Sequence, residues 1–246
     1  MTLTLLLMTI REEFNNRVNE INSFYEILGV IELESPKISA YDINAGAERI
    51  VTFNSSKIDT LRSTSYLLLY NLIESTVYNS ITTIFDEIKD CRINYFDTIE
   101  EVQKYWLNNI YKHDDKKRKE TIIETIMKIA NQIFNNNIEL ASTEINYGGS
   151  LDAQTIFDTA KSMKISVSNI WRIYDKSTHG QTLVDIKKKR NWLAHGEKSF
   201  IEVGRSSTFS QLEEAKNYVC AFLDEFITSV EDYITNQHFK IAAPSS

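Results

Sequence analysis

Tyr66-Leu67-Leu68-Leu69-Tyr70-Asn71-Leu72-Ile73-Glu74-Ser75-Thr76-Val77 lies inside a longer periodic run from Lys57 to Cys91. In that run Tyr66, Tyr70, Ile73, Val77, Ile81, Ile84 and Ile88 recur at three- and four-residue steps, the spacing of one helical stripe, which predicts a long central helix. The flank is apolar too, through Leu67, Leu68 and Leu69, so contact on more than one side is expected, with the core or with a partner subunit.

Towards the N-terminus, Ile10, Phe14, Val18, Ile21, Tyr25 and Leu28 repeat the pattern and predict a helix ending near Gly29. Between the two, Glu32 to Ser56 breaks the period and carries Pro36 and Gly46; it reads as a loop with one short element around Ile50 to Phe53. Beyond the central helix, Thr98 to Asn137 reads as two helical segments, a helical insertion or inserted lobe around 98–137. The charged run Lys112 to Glu120 opens the second as solvated turn, with RNA contact as the other reading. Asn146 to Ser150 holds a Gly-Gly pair without the Lys-Ser/Thr of a P-loop and reads as a plain loop. Ser150 is then expected to cap a short helix, Asp152 to Met163. A loop ending at Thr178-His179-Gly180 leads to a helix from Gln181. Leu212, Ala215, Val219, Phe222, Phe226, Val230 and Tyr233 mark a long terminal helix before a frayed tail, Ala242 to Ser246. The expectation is an all-α helical bundle with long central and C-terminal helices, one domain over 1–246 with its core in 8–238.

Composition agrees. Of 246 residues 42% are hydrophobic, with 12 Tyr and 12 Phe, enough apolar surface for a core. Two Pro and seven Gly suit helices better than a many-turned β architecture. Cys91 and Cys220 are far apart within apolar patterns, so burial as small hydrophobes is expected over a bridge. The four histidines, at 113, 179, 195 and 238, are scattered without ligand spacing, and no metal or cofactor is expected. A net charge of −7 argues against a non-specific nucleic-acid coat and leaves room for a compact basic site. Leu3 to Met8 is too short to span a bilayer and lacks a basic leader and cleavage site, so a cytoplasmic protein without membrane contact is expected.

The chemistry concentrates in Asp185-Ile186-Lys187-Lys188-Lys189-Arg190-Asn191-Trp192-Leu193-Ala194-His195-Gly196. On a helix Asn191 and His195 share a face, whereas Arg190 and His195 diverge by about 140°. Either the helix loosens at His195, which Gly196 permits, or a second copy completes the site. Attack of a ribose 2′-OH on its phosphodiester needs a base, an acid for the leaving oxygen and positive charge on the phosphorane. Imidazole and guanidinium supply these, and two facing motifs would supply base and acid together without a metal. Taken alone, a His at a helix end also reads as a cap for the last carbonyls.

The run Arg190-Asn191 followed by Leu193-Ala194-His195-Gly196 resembles the Arg-x4–6-His signature of HEPN domains. Leu67 to Thr76, Leu151-Asp152-Ala153, and Phe200-Ile201-Glu202-Val203-Gly204-Arg205 before a long final helix are similar to MAE-type HEPN-like nucleases. The resemblance implies a helical bundle that dimerises at the motif and a metal-independent endoribonuclease leaving 2′,3′-cyclic phosphate. It further implies a role as toxin or phage-defence effector, with an antitoxin or defence-system partner. By position, Arg190 and His195 form the catalytic pair and Asn191 their polar helper.

Around that set, Lys187 and Lys189 are candidates to draw RNA in, against a solvated helix face; Arg205 is a candidate phosphate contact, against a surface ion pair. Tyr70, Asn71 and Glu74 have the spacing to face the site or to close a buried polar network. Trp192 and Leu193 are expected in the core or an interface, and Trp171 to be buried or to stack a base. The rival readings are a non-catalytic partner-binding or nucleotide-sensing module, and a toxin silenced by modification of a tyrosine, with Tyr174 and Tyr218 as candidates.

Overall fold

The computed structural model describes residues 3–111, 119–136, 138–140, 144–145, 151–167 and 180–242. The Lys112–Glu120 run falls largely outside these, as do Asn146–Ser150, Trp171, Tyr174, Thr178 and His179. Among the described residues the chain forms eight α-helices and one two-stranded sheet. In chain order they are α1 (Leu3–Ile31), β1 (Lys37–Asp42), β2 (Ala47–Thr52), α2 (Ser55–Asp90), α3 (Glu100–Tyr111), α4 (Lys119–Phe134), α5 (Ala153–Ser162), α6 (Gln181–His195), α7 (Phe200–Arg205) and α8 (Phe209–Thr235). The fold is all-α, as the periodicities require.

Backbone contacts divide the chain into two compact units. The first comprises Met1–Phe14, Glu74–Gly180 and Phe222–Ser246, the second Asn15–Ile73 and Gln181–Ala221. Helices α1, α2 and α8 each supply residues to both.

In the first unit Val77, Ile81, Ile84 and Ile88 of α2 are all buried, together with Phe222, Phe226, Val230 and Tyr233 of α8. Phe157 of α5 meets Phe222 edge-on at 5.9 Å, and the Tyr233 hydroxyl donates to the Met163 carbonyl at 2.7 Å. Trp106 of α3 is buried and donates its indole N–H to the Glu139 carbonyl at 3.0 Å. Directly after α8, Lys240 bridges Thr98, and Ile99 and Ile241 donate to Phe239 and Asp97; of the tail expected to fray, 243–246 lie outside the described residues. The cap of α5 is Asp152, whose carboxylate accepts from the Thr155 N–H at 2.9 Å; Ser150 lies outside the described residues. Cys91 is exposed, not buried as expected, because it follows the last turn of α2 instead of riding on its apolar stripe.

In the second unit α1 continues past Gly29. A Cβ there would stand 3.1 Å from the Phe209 ring, so this glycine admits a close neighbour rather than ending the helix. The expected loop 32–56 holds an antiparallel hairpin, Lys37 opposite Thr52 through Asp42 opposite Ala47. Its tip turns on Gly46 at φ +62° and on Asp42, whose carboxylate accepts from the N–H groups of Asn44 and Ala45. Nearly every hairpin residue is exposed, and that removes the one-sided alternation by which strands are recognised. Elsewhere the unit is tightly joined. Arg62 makes a two-pronged pair with Glu32, donating from Nε to Oε1 at 2.6 Å and from Nη2 to Oε2 at 2.5 Å, and a Cβ on Gly204 of α7 would lie 1.7 Å from the Asp59 carbonyl oxygen. Only glycine lets α7 meet the start of α2 that closely.

Candidate active site on helix α6

Helix α6 begins after Gly180, at φ +73°, and presents three stripes. Leu183, Ile186, Arg190 and Leu193 step by three, four and three; the three apolar members are buried, so Arg190 occupies an inward-facing row. Its guanidinium lies over the ring of Tyr70, 4.5 Å from the centroid, and Tyr70 is fully buried. Nη1 also donates to the Asn191 side-chain oxygen at 3.0 Å. Arg190 is therefore held between an aromatic face and an amide, which fixes the direction of its remaining donors.

The second stripe, Val184, Lys188, Asn191 and His195, faces outward, with His195 exposed. The helix ends there in a Schellman turn. Gly196 takes φ +69°, its N–H reaches the Leu193 carbonyl at 3.4 Å, and the Glu197 N–H reaches the Trp192 carbonyl at 2.9 Å. Because the helix runs unbroken to His195, the loosening that would swing His195 back towards Arg190 does not occur, and the two diverge by about 140° around the axis. Trp192, half-buried, carries Lys198 at 3.7 Å and Lys188 at 5.0 Å from its ring centroid, a cationic collar beside the motif; Leu193 is buried.

The third stripe is Thr182, Asp185 and Lys189. The Lys189 ammonium turns away from the His195 face and donates to the Tyr66 hydroxyl at 2.8 Å and to Ser207 Oγ at 2.9 Å. Of the other candidates, Lys187 is half-buried, and Asn71 is exposed. Glu74 belongs to the other unit. Arg205 is largely exposed, with Nε 3.4 Å from Asp59 Oδ2, a long and loose pair. Tyr218 lines a cleft, and its hydroxyl oxygen is enclosed. Helix α7, which follows the motif, starts with a capping box: Ser199 Oγ accepts from the Glu202 N–H while the Glu202 carboxylate accepts from the Ser199 N–H. Those hydrogen bonds from Ser199 hold the Glu202 carboxyl below its ordinary range.

The inward row was readable in principle, because Arg190 completes the 183/186/193 apolar spacing; the ring it packs on was not. Ser207 and Tyr66 gave no such sign, since their meeting with Lys189 joins three separate helical or turn segments. Among the described residues no group of His, Cys, Asp and Glu stands close enough to hold a metal ion, and no helix is long and apolar enough to cross a membrane.

Comparison with known proteins bears on the family. No curated protein and no solved structure matches the chain. A family model described as HEPN_MAE_28990:/-like HEPN matches residues 6–239, almost the whole chain. With an all-α fold and an Arg190/Asn191/His195 motif on one helix, the chain belongs to this HEPN family.

Proposed function

We propose that this protein is a metal-independent endoribonuclease, a toxin or phage-defence effector, acting as a homodimer with two copies of α6 face to face. The observation that carries this reading is the contrast within the motif. Arg190 is fixed over Tyr70 and by Asn191, while His195 stands exposed at a glycine-stopped helix end. A fixed cation suits a phosphorane whose charge develops in one place, and an open imidazole suits proton transfer to a substrate that arrives from solvent. Since one regular helix directs the two apart, a second copy supplies the missing half.

In the reaction one His195 takes the 2′-OH proton as the 2′-oxygen bonds to phosphorus. The second copy's His195 donates a proton to the 5′-oxygen as its bond to phosphorus breaks, leaving a 2′,3′-cyclic phosphate and a 5′-hydroxyl. Both arginines stabilise the charged phosphorane. Lys187, Lys188 and Lys198 draw the strand in, and Arg205 contacts a flanking phosphate. The chemistry asks for no metal and no cofactor.

The test is cleavage of total RNA in EDTA by wild type, His195→Ala and Arg190→Ala, with the new ends sequenced. Cyclic-phosphate ends from wild type and silence from both folded variants support the reading. Identical behaviour of all three would replace it with a partner-binding module in which the motif is structural.

A further inference from the structure

The third stripe of α6 lines a cleft of about 360 Å³ within the second unit, walled by α6, the turn after α7 and the first turns of α8. None of Arg190, Asn191 or His195 lines it. At its base Lys189 meets Tyr66 and Ser207, which are themselves 2.6 Å apart and both buried. An ammonium has three N–H groups; two are spent on these oxygens and one is left for the cleft. Of the two hydroxyl hydrogens, one is used between Tyr66 and Ser207 and the other is spare. The base thus keeps two donors beyond those hydrogen bonds, one of them charged.

The charge is also unmatched. Asp185 stands four residues before Lys189 on the same helix, the spacing at which an acid and a base pair. Yet the ammonium reaches the hydroxyls instead, and among the described residues no carboxylate pairs with it. Asp185 lines the same cleft, with one oxygen accepting from Gln181 Nε2 at 2.7 Å, and Glu214 of α8 lines it too. Ile186, Ala215 and Tyr218 add apolar surface to the lining of the same cleft. A ligand complementary to all three parts carries a carboxylate, an ammonium and an apolar group. The two carboxylates also disfavour a phosphate dianion at this site.

We propose that this cleft binds a free α-amino acid with an apolar side chain, its carboxylate on Lys189, Tyr66 and Ser207 and its ammonium towards Asp185 and Glu214. The site is separate from the RNA chemistry and does not depend on the motif being catalytic. Lys189 precedes Arg190 in the chain, so an occupied cleft bears on the helix that carries the motif.

The experiment is calorimetric titration of the full chain with L-leucine, 4-methylpentanoate and 3-methylbutylamine, the last two each lacking one charge of the first. Leucine is expected to bind saturably at or below about 1 mM, with each half-molecule weaker by about tenfold or more. Lys189→Met should abolish binding of leucine and of the acid. Glu214→Gln, an exposed change that leaves the fold alone, should weaken leucine and the amine but not the acid. The proposal is overturned if leucine shows no saturable heat up to about 10 mM. It is equally overturned if the acid binds as well as leucine, or if both variants, folded by circular dichroism, bind as wild type does.

Discussion

Helices α2 and α6 end in the same backbone turn and put opposite chemistry on it. At the end of α2, Ile93 donates to the Ile88 carbonyl and Arg92 to that of Lys89, with Arg92 at φ +51°. At the end of α6, Glu197 donates to Trp192 and Gly196 to Leu193, with Gly196 at φ +69°. Each Schellman turn presents a reactive side chain just before its left-handed residue: Cys91 on α2, His195 on α6. Four residues back stands Glu87 in the first case and Asn191 in the second. Cys91 Sγ donates to Glu87 at 2.9 Å, and that hydrogen bond, with burial and the carboxylate charge, pushes the thiol up to about 11. Asn191 is neutral and its oxygen is occupied by Arg190. The turn exposes a side chain; the residue one helical turn earlier sets what surrounds it, a carboxylate on the Cys91 thiol and a neutral amide beneath His195.

The anchoring differs as well. In α2 the residue after the left-handed position is buried Ile93, the apolar contact that normally locks such a turn; in α6 it is exposed Glu197. The α6 turn is also looser, its inner hydrogen bond 3.4 Å against 2.9 Å in α2.

Four tests sharpen or break this contrast. The largest effect is expected from His195→Ala, which should lower RNA cleavage by about 10²- to 10⁴-fold, while Cys91→Ala leaves it unchanged; single-turnover rates on a defined RNA check both. Stability should respond the other way. Ile93→Ala should cost about 2–4 kcal/mol in urea unfolding, and Glu197→Ala less than about 0.5 kcal/mol. Equal costs would mean that both turns are anchored alike.

Thiol chemistry tests the silencing of Cys91. A thiol titrating near 11 is almost wholly protonated at pH 8, so its alkylation should be slow despite exposure and should climb steeply as pH approaches 11. Glu87→Gln removes the charge that holds the proton and should speed alkylation at pH 8 by about tenfold or more, read by mass spectrometry. The last test is at the left-handed positions. Gly196→Ala should destabilise by about 1–2 kcal/mol, and Arg92→Gly should stabilise by about 0.5–1 kcal/mol, both measurable as shifts in Tm.

Much of the fold was legible because its signals are one-dimensional. The stripe from Tyr66 to Ile88 is buried at every position named, and Gly196 stops α6 as a residue with positive φ should. Of the hairpin, only a short element around Ile50 to Phe53 was read, overlapping β2, because strand recognition rests on one buried face and this hairpin has none. Gly29 was read as a stop because a glycine in a helix has two uses, and the nearness of Phe209, 180 residues away, is not written locally. Within the site, the divergence of Arg190 and His195 follows from helical geometry alone. The guanidinium on Tyr70 and the Lys189, Tyr66 and Ser207 cluster depend on contacts across more than a hundred residues of chain.

The exposed hairpin has a practical meaning. Its loop, Ile43 to Gly46, contacts little beyond its own Asp42, so extra chain entering there meets no core and strains no hydrogen bond outside the turn. That makes it the place to graft an epitope or a fluorescent reporter: a tag the molecule can wear without disturbing the packing beneath it.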